Sequence, residues 1–199
     1  MTRREVLRSA LLAGLVVPEV RRPAILAEPH LLSEESGKHF QQMWDGCKVV
    51  GDWIVLPGTR EMSAARAVKL RSRAERGAWV ILESGLCFAT ELRRQQQTRL
   101  WENAFGLSFA DSPKVSDLFI EYGWPLRQIV RGFGVCTLLE SAAGAIAQSG
   151  GKPVCCRRVI GRGGIIFLGS MLGPGLGAGE REAERIGMRL IEAIARETS

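Results

Sequence analysis

Histidine is scarce in this chain: 199 residues contain only His30 and His39, both in its first quarter. Amidase and acyl-transfer chemistry needs a base, usually an imidazole, to take the nucleophile's proton and return it to the leaving group, so that chemistry has few residues to draw on here. Cys-x-x-Cys spacing is missing among Cys47, Cys87, Cys136, Cys155 and Cys156, which argues against a zinc ribbon or a thioredoxin-type pair. The odd number leaves at least one thiol free or intermolecular. No carboxylates stand with His or Cys at metal-ligand spacing, so no metal is expected. The Gly-x-x-x-x-Gly-Lys-Ser/Thr phosphate loop is absent, as are internal repeats and low-complexity blocks, and no cofactor is expected. The apolar run Ala10–Val17 is only eight residues long, too short to cross a bilayer.

Positive charge is present but badly placed for nucleic acid. The net charge is +6, and residues 1–22 hold five Arg and two Glu, half of that excess. The remaining Arg and Lys are scattered along helix faces without interleaved aromatics, so no nucleic-acid partner is expected. In the N-terminal segment, Arg3-Arg4 precedes the apolar block and is segregated from it. That order looks like a twin-arginine export signal, and a periplasmic or otherwise exported protein is expected, with a cytoplasmic one as the alternative. Residues 1–22 are read as the tail and residues 23–199 as a single domain of ordinary globular composition.

Strand and helix signals alternate through the first half. Pro23–Ala27 suits a short first strand, and Ser33-Glu34-Glu35-Ser36 supplies capping chemistry for a helix to about Asp45. Trp53–Leu56 reads as a buried strand stopped at Pro57-Gly58, and Met62 to Arg76 as an amphipathic helix. Ala78–Leu82 is a continuous apolar run of the kind a strand buried on both faces needs, and Ala89–Ala104 is a polar-faced helix. Past Phe105 the pattern turns to short strands and tight turns at Val135–Leu139, Ala145–Gln148, Pro153–Ile160 and Ile165–Leu168. Gly179–Arg196 closes the chain as an amphipathic helix. The expected fold is therefore α/β, a three-layer sandwich with a mostly parallel central sheet and an antiparallel C-terminal strand portion.

Three segments carry a resemblance. Asp52-Trp53-Ile54-Val55-Leu56-Pro57-Gly58, the turn Glu83-Ser84-Gly85-Leu86-Cys87-Phe88-Ala89, and the late Gly161-Arg162-Gly163-Gly164-Ile165-Ile166-Phe167-Leu168-Gly169 strand together resemble the class I glutamine amidotransferase-like fold. The resemblance implies a nucleophile elbow, Gly-x-Cys-x-Gly, at Gly85–Ala89 with Ala in the last position. It also implies a catalytic His just beyond the late strand, where this chain has Ser170 and Met171. The standard Cys-His-Glu triad is thus not expected. What the resemblance implies instead is an exported, non-catalytic domain that binds a small ligand or a protein partner at the carboxyl edge of the sheet. Gly58, Thr59, Gly85, Ser170 and Met171 would line that pocket. The alternative is a hydrolase or amidase with a non-standard site around Glu83, Ser84 and Cys87. Trp124, before Pro125 in a loop, is the expected exposed anchor for a protein partner or for self-association. Glu180, Glu182 and Glu184 read as charges near the last helix's N-terminus, where the helix dipole favours them.

Overall fold

The computed structural model describes residues 22–47, 51–110, 114–115 and 119–197. The proposed export signal lies outside these residues, Arg22 excepted. Among the described residues, ten strands follow in chain order as β1 (Ala24–Ile25), β2 (Trp53–Thr59), β3 (Trp79–Ser84), β4 (Lys114–Val115), β5 (Phe119–Tyr122), β6 (Gln128–Arg131), β7 (Val135–Cys136), β8 (Ala145–Ser149), β9 (Lys152–Ile160) and β10 (Gly163–Leu168). The helices are α1 (Leu31–Asp45), α2 (Ala64–Glu75), α3 (Glu91–Phe105), α4 (Gly173–Gly177) and α5 (Arg181–Glu197), with a 3₁₀ turn at Leu86–Phe88. No described helix is long and apolar enough to cross a membrane.

Eight strands form one open sheet in the order β1-β2-β3-β10-β9-β8-β5-β6. The first four run parallel, and every pairing from β10 onward is antiparallel. The sheet is therefore mixed, not mostly parallel. Its reversal comes from the hairpin at Gly161–Arg162, which folds β9 back on β10; such a tight turn can join only antiparallel strands. β4 and β7 pair separately as a two-stranded ribbon.

Side-chain alternation divides the core into two clusters. Trp53, Val55, Trp79, Ile81, Ile166 and Leu168 face α1 and α5. Ile54, Leu56, Val80, Leu82, Ile165 and Phe167 face α2 and α3. Runs of four apolar residues in β2 and β3 thus bury both faces, as parallel strands under two helix layers must. Cys155 and Cys156, adjacent on β9, go to opposite clusters. None of the five cysteines forms a disulfide.

The cover is incomplete beyond β9. Ile120, Tyr122 and Val130 bury one face of β5 and β6, whereas Phe119, Glu121, Ile129 and Arg131 on the other face are exposed. Here the alternation is of the one-sided kind. Trp124 differs from its expected role: it is half-buried against the core, and the Arg157 guanidinium lies 5.1 Å from its ring and 5.2 Å from that of Trp79. A cation held between two indole faces stabilises both rings and takes Trp124 out of the exposed surface.

Candidate functional site

Parallel strands put their carboxyl ends on one edge, where loops present functional groups. The segments after β1, β2, β3 and β10 meet there, and Glu83 at the end of β3 ties them together. One carboxylate oxygen of Glu83, Oε2, accepts from Ser36 Oγ of α1 at 2.5 Å and from the Gly58 N–H at 2.8 Å. The other, Oε1, accepts from the Leu172 and Gly173 N–H groups at 2.6 and 2.7 Å. Glu83 is wholly buried. Burial pushes its carboxyl above the usual range, and the four donors pull against that shift without cancelling it.

The close approach requires glycine. A Cβ on Gly85 would stand 2.2 Å from the Gly58 carbonyl oxygen, and one on Gly173 would stand 1.7 Å from Ser36 Oγ. Only backbones without side chains can come this near one another.

The residues expected to form a site are therefore brought together, but as a closed junction. Ser84 is buried and its hydroxyl bonds to Thr137 Oγ1 at 2.8 Å. Thr59, Ser170 and Met171 are buried as well, and the Met171 methyl packs on Gly58. Cys87 sits in the 3₁₀ turn after Gly85, half-buried. Burial pushes its thiol up to about 12, so it is protonated at neutral pH, the opposite of an activated nucleophile. Neither histidine bonds to it. His39 lies against Gly177 of α4 and bonds to Gln42.

His30 and Glu28 were not anticipated. His30 is the N-cap of α1, taking that place from the serines further along: its Nδ1 accepts from the Ser33 N–H at 3.3 Å. With Nδ1 an acceptor, the ring proton is on Nε2, which donates to Glu28 Oε2 at 3.0 Å. The Glu28 carboxylate also accepts from the Arg60 N–H at 3.0 Å and the Glu61 N–H at 2.7 Å. Both imidazole nitrogens are occupied, so His30 has no lone pair free for a substrate proton. The signal in the sequence was a carboxylate and a histidine directly after the first strand.

A second grouping lies further along the same edge. Arg131, Phe133, Gly134, Met171, Pro174 and Glu180 line a cleft of about 380 Å³. The Phe133 ring is exposed and meets Phe88 edge-on at 5.8 Å. A larger groove of about 730 Å³ follows the uncovered face of β5, β6 and β8, with Glu121, Arg127 and Gln148 among its walls. Among the described residues no group of His, Cys, Asp and Glu is arranged to hold a metal ion.

No family model and no curated protein matches this chain. Solved structures do. A β-galactosidase from Bacillus circulans sp. alkalophilus is similar over 88% of this chain and 30% of its own length, with TM-score 0.62 and 13% identity. An exo-β-1,4-mannosidase from Opitutaceae bacterium strain TAV5 is similar over 96% of this chain and 38% of its own, with TM-score 0.57 and 14% identity. A cytoplasmic protein of Salmonella typhimurium LT2 is similar over 72% of this chain and 71% of its own, with TM-score 0.55 and 11% identity. The chain thus spans about a third of the glycoside hydrolases it matches.

These findings correct the reading from motifs. The likeness runs to glycoside hydrolases, not to class I glutamine amidotransferases, and the expectation of a non-catalytic amidotransferase-like binding domain falls with it. The strand-and-turn motifs that carried the resemblance encode a sheet edge with close backbone packing, which unrelated chemistries share. At such low identity the likeness is one of fold alone.

Proposed function

We propose that this chain serves a hydrolase that acts on glycosides. The observation that carries the reading is the superposition of nearly the whole chain on a β-galactosidase and a β-mannosidase. Glycoside hydrolysis runs on two carboxyl groups flanking the scissile bond, and the carboxyl edge supplies three glutamates on adjoining segments. Glu83 is committed to its four donors. That leaves Glu28 and Glu61, whose segments are joined by the Glu61 N–H bond to the Glu28 carboxylate. Glu28 is buried and its carboxylate accepts from His30 and from the Arg60 and Glu61 N–H groups, so it too reaches substrate only if those bonds open, whereas Glu61 is exposed beside Arg93 at 2.7 Å. Glu83, Ser84 and Cys87 enter the reaction in this reading only if the turn after β3 opens, because none of them is open to substrate while the junction is closed.

The test is release of nitrophenolate from nitrophenyl β-galactoside and β-mannoside by the purified full chain. Turnover should fall by about 10²-fold or more in Glu28→Gln and in Glu61→Gln, the scale of losing a positioned acid or base. No turnover in the wild type, or turnover that both variants retain, rejects the reading. Export is proposed beside it, from the segregated Arg3-Arg4 and Ala10–Val17 blocks alone.

A further inference from the structure

The cleft beside Met171 contains two charged side chains of opposite sign. Arg131 lies at the end of β6 and Glu180 just before α5, and neither side chain hydrogen-bonds or ion-pairs with any of the described residues. Every other lining residue there is glycine, apolar or aromatic. The Phe133 ring is 40% exposed and is propped by Phe88, itself 44% exposed. Pro174 and Gly175 also line the cleft, and Glu180 Oε2 approaches Gly175 closely enough that a Cβ there would meet it at 3.2 Å. The cleft volume falls within the range of small-molecule sites.

The lining disfavours ions of a single sign and purely apolar ligands, and between a zwitterion and a neutral polyol the glycoside reading favours the polyol. A phosphate or other anion would meet Glu180 as well as Arg131, and a cation would meet the reverse problem. A purely apolar ligand would strip water from both charges and return nothing. A neutral polyol with one apolar face satisfies every wall at once. Its hydroxyls donate to the Glu180 carboxylate and accept from the Arg131 guanidinium, while its C–H face lies on the Phe133 ring. We propose that this cleft is a sugar subsite, in which Arg131 and Glu180 grip the hydroxyls of one glycosyl residue and Phe133 supports its apolar face. The inference rests on the glycoside reading above and specifies where on the sheet edge the sugar is held. Arg131 ends β6, Phe133 lies in the β6–β7 connection and Glu180 just ahead of α5, so the subsite exists only in the folded chain.

Saturation-transfer NMR on the full chain, with lactose and β-1,4-mannobiose as probes, tests this directly. At least one disaccharide should show transfer, with affinity reduced about tenfold or more in Phe133→Ala and in the Arg131→Met/Glu180→Gln double variant. Phe119→Ala, an exposed ring on the uncovered sheet face, should bind as the wild type does. These side chains are exposed or line a cleft, so circular dichroism and melting temperature should be unchanged and exclude misfolding as the cause. No transfer from either sugar, or transfer that the cleft variants keep, overturns the subsite. The nitrophenyl glycoside assay fails independently. Turnover with binding insensitive to the cleft variants sinks the subsite alone, whereas cleft-dependent binding without turnover sinks the hydrolase reading alone.

Discussion

Glu83 shows how one side chain can be fixed by its surroundings. A buried carboxylate is costly unless its lone pairs are met, and here each oxygen takes two donors, the four coming from three different segments. Glu83→Gln keeps the shape but turns an NH₂ toward N–H or O–H donors, leaving at least one of them unsatisfied. A loss of about 2–4 kcal/mol is expected, read as a lower midpoint in urea with unchanged slope. A shift below about 0.5 kcal/mol would mean the network is not formed in solution. The same residue-level burial governs Cys87, whose thiol, pushed up to about 12, lacks the lowered pKa that a nucleophile elbow gives its thiol. Dipole and turn geometry lower a thiol's pKa only where solvent or a cation can stabilise the anion.

The junction between α1 and α4 is decided by a single missing methyl. Gly173 opens α4 directly against Ser36, and a Cβ there would also lie 2.5 Å from Ser36 Cβ. Gly173→Ala should cost about 1–3 kcal/mol through overpacking. Ser36→Ala should cost about 1–3 kcal/mol through the lost bond to Glu83. In the double variant the two losses should fall short of their sum, since removing Oγ relieves part of the clash; full additivity in urea titrations would argue against this contact. Much of this element level was legible beforehand. The long strands β2, β3, β9 and β10 and the helices α2, α3 and α5 follow hydrophobic period and length to within a few residues. β5 and β6 were missed, because Phe119–Tyr122 and Gln128–Arg131 are four residues each and lie among aromatics and turn residues that mask a two-residue alternation. Their strand character comes from pairing with each other and with β8.

At the scale of the whole molecule, buried thiols make stability depend on alkaline pH. Burial pushes Cys155 up to about 12 and Cys156 up to about 11, against an ordinary value near 8.5. The folded state therefore holds these protons at pH values where the unfolded chain releases them, so stability is intact below about pH 8.5 and falls as pH rises toward 11 to 12. At pH 10.5 each thiol should cost roughly 2–3 kcal/mol. The melting temperature should thus drop between pH 8.5 and 10.5 more steeply in the wild type than in Cys155→Ala/Cys156→Ala. Parallel curves would show the thiols to be reached by water. The uncovered face of β5 and β6 belongs to this scale too, since only the assembled sheet shows where the helix cover ends.

The amino-acid sequence by itself determined the α/β alternation, the depth of burial of the central strands and the absence of a histidine after β10. These depend on local period, run length and residue identity, which need no partner to be read. Tertiary structure alone decided the rest. It closed the expected pocket around Glu83, because four donors on three segments converge only once β2, β3, α1 and α4 are packed together. It made the sheet mixed, because strand direction is set by how hairpins fold back on their neighbours. It also brought Arg131 and Phe133 into one cleft with Glu180, nearly fifty positions further along the chain, a juxtaposition that no spacing in the chain encodes.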